Sequence, residues 1–176
     1  LLRALGVGKK WLSVSTLAAA GSSITWAKVQ FFSDVSNERF YRLVAKLARD
    51  AGSCNVDFDP HLAGDRTSME HKRGAFIGLT LRHSRAHMTR AVLEGVAFGL
   101  KDSFTLIQNA GLGTITQVRA SGGGTKGALW RQILTSVLEA ELATVNTTEG
   151  SAYGAALLAG VGAGVWSDVA SACKVC

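Results

Sequence analysis

The spacing of apolar residues changes character along the chain, and each change predicts an element. Leu12-Ser-Val-Ser-Thr16 alternates like a short half-buried strand. The small-residue stretch Ala18-Ala-Ala-Gly21-Ser-Ser then leads into a helical pattern carrying Ile24, Trp26, Val29 and Phe32. Asn37 to Asp50 repeats Phe40, Val44 and Leu47 at helical spacing, and Gly52 follows as a stop signal. Asn55 to Gly78 reads as irregular chain with short extended pieces, rich in charge and turn residues. Ser84 stands where it can N-cap a long helix running to about Ala110, with Met88, Val92, Val96 and Leu100 down one side.

Beyond that helix the pattern becomes strand, helix, strand, helix. Thr114 to Ala120 predicts a strand, Lys126 to Ala140 a helix, Leu142 to Val145 a second short strand, and Ala152 to Ala163 a helix of small residues. Asp168 onward starts a further helix. Strands alternating with helices imply an α/β domain with helices packed on a sheet. At 176 residues, 47% hydrophobic and 18% charged, the chain can build one domain with its own core and is no disordered tail. The single proline, Pro60, argues against a proline-rich linker. Leu1 is not an initiator methionine, so a longer parent protein is expected.

Nineteen Lys and Arg against thirteen Asp and Glu give a formal charge of +6, which suits an anionic partner. The charges are scattered. Lys9-Lys10 and His71-Lys72-Arg73 are the densest spots, and neither forms a basic tract with interleaved aromatics, so no nucleic acid is expected. A small anion such as a nucleotide phosphate needs only a local site. No run approaches the ~18 unbroken apolar residues of a membrane span, so no membrane partner is expected either. The most apolar stretch, Ala155 to Trp166, is short and carries three glycines. Three unevenly spaced cysteines suit a reducing, cytoplasmic compartment. Cys173-Lys-Val-Cys176 stands alone, whereas a structural zinc site takes four ligands, so no metal site is expected.

Glycine is the anomaly in composition, with 20 residues where the usual share of about 7% gives roughly 12. The sharpest cluster is Ala120-Ser121-Gly122-Gly123-Gly124-Thr125-Lys126, set between a strand and a helix. Consecutive glycines let backbone N–H groups approach a ligand, and the following helix aims its dipole at the same spot, where a phosphate is a natural guest. The run is neither the P-loop nor the dinucleotide fingerprint, and alone it reads equally as a flexible turn. Gly150 and Gly154 sit in a second small-residue segment, Glu149 to Ala156, read either as tight helix packing on the sheet or as a wall of a nucleotide pocket. Ala20-Gly21-Ser22-Ser23 is a third turn between strand and helix. His83 and His87, four apart, would share a helix face, but no Glu or Cys at ligand spacing completes a metal site, and they read as solvated histidines at a helix start. Asp57, Asp59, Asp65 and Asp102 are general-base candidates with nothing to single one out. Asn146-Thr-Thr148 is a glycosylation sequon without meaning in a reducing compartment.

The run Gly74-Ala-Phe-Ile-Gly78-Leu79, then seven residues, then His87-Met-Thr-Arg-Ala91-Val-Leu-Glu94 resembles the second signature of the FGGY carbohydrate kinases at every constrained position. The resemblance continues through Gly95 to Ser103, the glycine turn, Trp130-Arg-Gln-Ile-Leu134 and Glu149 to Leu158. Residues 11 to 173 look like the C-terminal domain of this family, closest to its xylulokinase branch. Gly64-Asp65-Arg66-Thr67-Ser68 resembles that branch's G-E-R-T-P, whereas Asp57-Phe-Asp-Pro-His61 departs from the usual apolar L-P-Y-L.

The resemblance implies a ribonuclease-H-like, actin-like ATPase domain, a mixed sheet flanked by helices. Residues 1–176 would form the C-terminal nucleotide-binding lobe of a two-domain sugar kinase. It implies ATP as co-substrate, with Mg²⁺ held mainly by ATP and the other lobe. Gly122, Gly123 and Gly124 would meet the nucleotide with backbone, Gly127 would lie near the base, and Gly21 and Thr25 match nucleotide-contacting positions in relatives. The first phosphate loop, the sugar pocket and the proton-accepting aspartate lie in the preceding domain of relatives, so no catalytic residue is expected in these 176 residues. The expected activity of the parent is phosphoryl transfer from Mg·ATP to a ketose hydroxyl, D-xylulose foremost, with a ribulose-type sugar as alternative. The rival readings are a non-catalytic regulatory module that kept the nucleotide lobe, and a scaffold that binds no nucleotide. A homo-oligomer is compatible with each.

Overall fold

The computed structural model describes residues 2–4, 9–53, 55–65, 70–111, 115–144 and 150–175. Its first half runs through strands β1 (Leu2–Ala4) and β2 (Trp11–Ser13), helices α1 (Ala20–Phe31) and α2 (Asn37–Ala51), and strands β3 (Asp57–Asp59) and β4 (Ala75–Ile77). Helix α3 (Arg85–Asn109) follows, then β5 (Gln117–Ala120), α4 (Ala128–Leu138), β6 (Glu141–Thr144), α5 (Gly150–Gly162) and α6 (Val169–Ala172).

Local chemistry sets the helix ends. The Ser36 hydroxyl accepts from the Arg39 N–H to start α2, and Gly52 stops it at φ +63°. Ser84 starts α3 through a capping box in which the His87 ring stands where Glu or Gln is usual. The Asp168 carboxylate accepts from the Ser171 N–H at 2.7 Å to start α6, and that hydrogen bond holds its carboxyl below the ordinary carboxylate value.

Helix α3 is the hub. Its 25 residues, roughly 37 Å long at the usual rise, carry α1, α2, α4 and β3 on their sides. Packed from so many directions, it buries a wide arc that takes in Ala91, Val92, Leu93, Gly95, Val96 and Ala97. At Gly95 a Cβ would lie 2.0 Å from the Phe58 carbonyl oxygen, so the β3 backbone rests directly on the helix. Trp26, Phe31, Phe58 and Phe76 form an aromatic cluster there, with Phe58 and Phe76 ring centroids 4.8 Å apart. A second cluster joins Leu93 and Ala97 of α3 to Leu129, Ile133, Leu134 and Leu138 of α4. Arg85 staples α1 to α3: it donates to Asp34 at 2.9 Å and to the Phe31 carbonyl at 3.2 Å, with its guanidinium over the Phe32 ring.

Several positions of the run Gly74 to Glu94 have a physical reason. Gly78 sits at φ +86°, with a Cβ position 2.6 Å from the Asn55 carbonyl oxygen. His87 caps α3, Ala91 to Leu93 are core, and Glu94 pairs with Arg90 at 2.7 Å.

Strand pairing is of both senses. The pairs β1–β2 and β3–β4 are antiparallel, while β5 and β6 are parallel, with Gln117 opposite Glu141 and Ala120 opposite Thr144. Among the described residues these form three two-stranded ladders. Helix α4 links the parallel pair as a crossover, which parallel strands require.

Several expectations needed correction. The strand expected over Leu12–Thr16 is the shorter β2, and its partner β1 went unanticipated. Val29 is 54% exposed, and α1 buries Ser23 and Ala27 instead, because small side chains let it approach α3 closely. The helix expected from Lys126 begins at Ala128, after a 3-10 turn over Gly123–Lys126. Thr114 and Val145, expected strand ends, lie outside the described residues. No helix among the described residues is long and apolar enough to cross a membrane.

Candidate functional site

Strand β5 ends at Ala120 and the chain turns through Ser121 to Gly127 into α4. Gly122 takes φ +97°, open only to glycine at low cost. The Thr125 N–H and hydroxyl both donate to the Gly122 carbonyl, at 3.2 and 2.8 Å, which closes the turn. A Cβ on Gly122 or Gly123 would meet nothing within 4 Å, so this backbone faces open space. Gly124 and Gly127 instead rest on Trp130, which a Cβ at either position would reach at 3.7 Å.

The open space belongs to a cavity of about 970 Å³. Its rim holds Gly21 at the start of α1, Tyr41 of α2, and the turn with Thr125 and Lys126; Leu100 and Phe104 of α3 and Leu134 of α4 line its depth. The structure therefore brings Gly21 together with Gly122, Gly123, Gly124 and Gly127. It does not bring Thr25, which is exposed on α1 and off the described lining. Sequence reasoning left Lys126 and Tyr41 out of the site. Lys126 had a signal, a cation directly after a glycine turn; Tyr41 had none, because only tertiary packing turns that part of α2 toward the cavity.

The rim is electropositive. Lys126 and the N-terminal end of α4 lie together, α4 has no acidic residue in its first turn, and no Asp or Glu is among the described lining residues. The arrangement can hold an anion at the turn and a flat, largely apolar group deeper in. The described lining offers a divalent cation no carboxylate, so this wall does not fit Mg²⁺ as a direct ligand set.

The other candidates fall elsewhere. Gly154 has open space at its Cβ position and is not on the described lining, so the described residues support neither its packing nor its pocket-wall reading; Gly150 makes ordinary contact with Ser121, where a Cβ would lie 3.5 Å from Oγ. His83 and His87 are half-buried rather than fully solvated: His87 Nδ1 accepts from the Ser84 N–H at 3.1 Å and caps α3, while His83 Nδ1 accepts from the Thr80 N–H at 2.8 Å in the loop before it. Asp59 pairs with the His61 ring, and none of Asp57, Asp59, Asp65 and Asp102 lines the cavity. Arg66 to Ser68, Asn146 to Thr148, Glu149 and Cys176 lie outside the described residues.

Comparison with known proteins assigns the class. The model of the FGGY family of carbohydrate kinases, C-terminal domain, matches residues 3–163, and the chain belongs to that family, with its actin-like ATPase fold. It is similar to a xylulose kinase of Staphylococcus epidermidis, 34% identical over 92% of this chain and 32% of the relative. A gluconokinase of Bacillus subtilis is 31% identical over 85% of this chain and 31% of the relative. Among solved structures, a xylulose kinase from Brucella ovis superposes with TM-score 0.76 at 28% identity, covering 94% of this chain and 34% of that one. The Plasmodium falciparum glycerol kinase with ADP gives TM-score 0.72 at 25% identity, covering 89% and 31%. The chain thus spans about a third of the length of the curated relatives it matches.

Proposed function

We propose that residues 1–176 are the C-terminal nucleotide-binding lobe of a two-domain sugar kinase, holding ATP or ADP in the cavity beside the glycine turn. The observation that carries this reading is the Gly122–Gly123 backbone, open at the electropositive rim of a deep apolar cavity. Gly122 and Gly123 offer the phosphates backbone beside open space, Gly124 continues that turn against Trp130, and Lys126 is the neighbouring cation. Gly21 and Gly127 leave room for the nucleoside, and Thr25 has no part in the contact. Phosphoryl transfer rests on positioning and on neutralising charge. The parent kinase passes the γ-phosphoryl of Mg·ATP to a sugar hydroxyl, with the metal held by ATP and by groups outside this cavity wall. D-xylulose is the preferred sugar, on the strength of the xylulose kinases among the relatives.

The test joins calorimetric titration of the 176-residue chain with ADP to turnover by the complete kinase. The complete enzyme is offered Mg·ATP with D-xylulose, D-ribulose, L-ribulose, gluconate or glycerol. ADP binding by the chain and turnover on D-xylulose are the expected results. Preference for another sugar would move the substrate assignment alone, whereas ADP binding without turnover on any sugar would favour the regulatory module. A folded chain that ignores ADP would sink the nucleotide-lobe reading.

A further inference from the structure

A side chain outside the turn bonds to it. Arg131, in the first turns of α4, is half-buried, and its Nη1 donates to the carbonyl oxygens of Thr125 at 2.6 Å and Lys126 at 3.2 Å. Its own backbone N–H donates to the Gly127 carbonyl at 3.1 Å. Together with the Thr125 bonds to Gly122, these contacts leave the carbonyls of Gly122, Thr125, Lys126 and Gly127 engaged by this chain's own donors. In a trans peptide the N–H points opposite the carbonyl of the same unit. Turning the Gly122 carbonyl toward Thr125 therefore directs the Gly123 N–H the other way. The placement of a cation is also telling. Positive charge near a helix N-terminus opposes the macrodipole, so helix stability alone would favour Asp or Glu there, and α4 has neither in its first turn. A guanidinium at this spot makes sense where the turn must be held in one shape and the local field must stay positive for an anion.

We propose that Arg131 is a positioning residue for nucleotide binding, holding the Gly122–Gly124 backbone in its phosphate-facing shape by tying the Thr125 and Lys126 carbonyls to α4. The proposal rests on the nucleotide-lobe reading. Its test titrates the wild-type chain, R131M and R131K with ADP and with adenosine, beside circular dichroism and thermal melts. Loss of a charge-assisted hydrogen-bond anchor should weaken ADP about tenfold in R131M, with adenosine affinity and the melt close to wild type. R131K should recover much of the ADP affinity, since one ammonium can donate to both carbonyls. Unchanged ADP affinity in R131M, or an equal loss of ADP and adenosine, would overturn the positioning role. Should R131M fail to fold, R131A, which likewise carries no donor, decides the matter: wild-type ADP affinity there overturns the role too. A folded wild-type chain that binds no ADP refutes the underlying lobe reading, an outcome distinct from these.

Discussion

At the residue scale, Gly95 and Gly123 are glycine for opposite reasons, and substitutions separate them. A Cβ at Gly95 would press to 2.0 Å from the Phe58 carbonyl oxygen, and backbone on both sides cannot yield cheaply. Alanine would gain up to about 1 kcal/mol of helix propensity in α3, but overpacking costs about 1–3 kcal/mol or more, and the contact is far inside van der Waals distance, so the clash wins. Gly95→Ala should lower the melting temperature by several degrees, as a thermal melt will register. At Gly123 a Cβ meets nothing within 4 Å. Gly123→Arg should therefore leave the melt near wild type while abolishing measurable ADP binding in a calorimetric titration; retained affinity would remove the phosphate cradle from the argument. The sequence pointed to Gly123 because three glycines between a strand and a helix suggest exposed backbone. It offered no reason for Gly95, whose need for hydrogen at Cα comes from β3, 37 positions earlier in the chain.

At the scale of elements, legibility followed how much of an element's environment is local. Ser84 and Gly52 marked helix ends correctly, since caps are made by neighbours in sequence. On α1 the pattern of Ile24, Trp26 and Phe32 meets the core while Val29 is exposed, and only the close approach to α3 shows that the small residues Ser23 and Ala27 are buried as well. The His87 cap was not legible for another reason: His at the third position of a capping box is unusual, and its Nδ1 lone pair replaces a carboxylate oxygen. Helix α5 is the clearest case of pattern without partner. It is rich in Ala, Leu and Gly, yet Leu157 is its one buried residue, Leu158 is 54% exposed, and its main neighbour is the short α6. With so little packing to oppose opening, its amides should exchange faster than those of α3 between Ala91 and Ala97. Hydrogen exchange followed by mass spectrometry checks this, and equal protection in the two helices would contradict it.

On the scale of the whole molecule, the cavity wall supplies binding groups without reactive ones. Glycine backbone, Lys126 and apolar depth can hold a nucleotide, but the described lining has no carboxylate to accept a hydroxyl proton or to hold a metal. Positioning two substrates is what raises the rate of phosphoryl transfer, and a wall that binds one of them contributes only part of it. The 176 residues on their own should thus show no sugar phosphorylation in a coupled ADP-release assay, with ADP still bound. Turnover by this chain free of host kinase would overturn that division of labour.

The sequence by itself determined the stop of α2 at Gly52 and the start of α3 at Ser84, the strand-turn-helix that carries the three glycines, and the FGGY signature, because these rest on spacing and on contacts a few residues long. Tertiary structure alone decided that Gly21 meets the Gly122–Gly127 turn across one cavity while Thr25 does not, and that Arg131 reaches back to the turn's carbonyls. It also decided that Ser23 and Ala27 are buried on α1. Those outcomes depend on how closely separate helices approach one another, and that distance is set by every side chain between them at once.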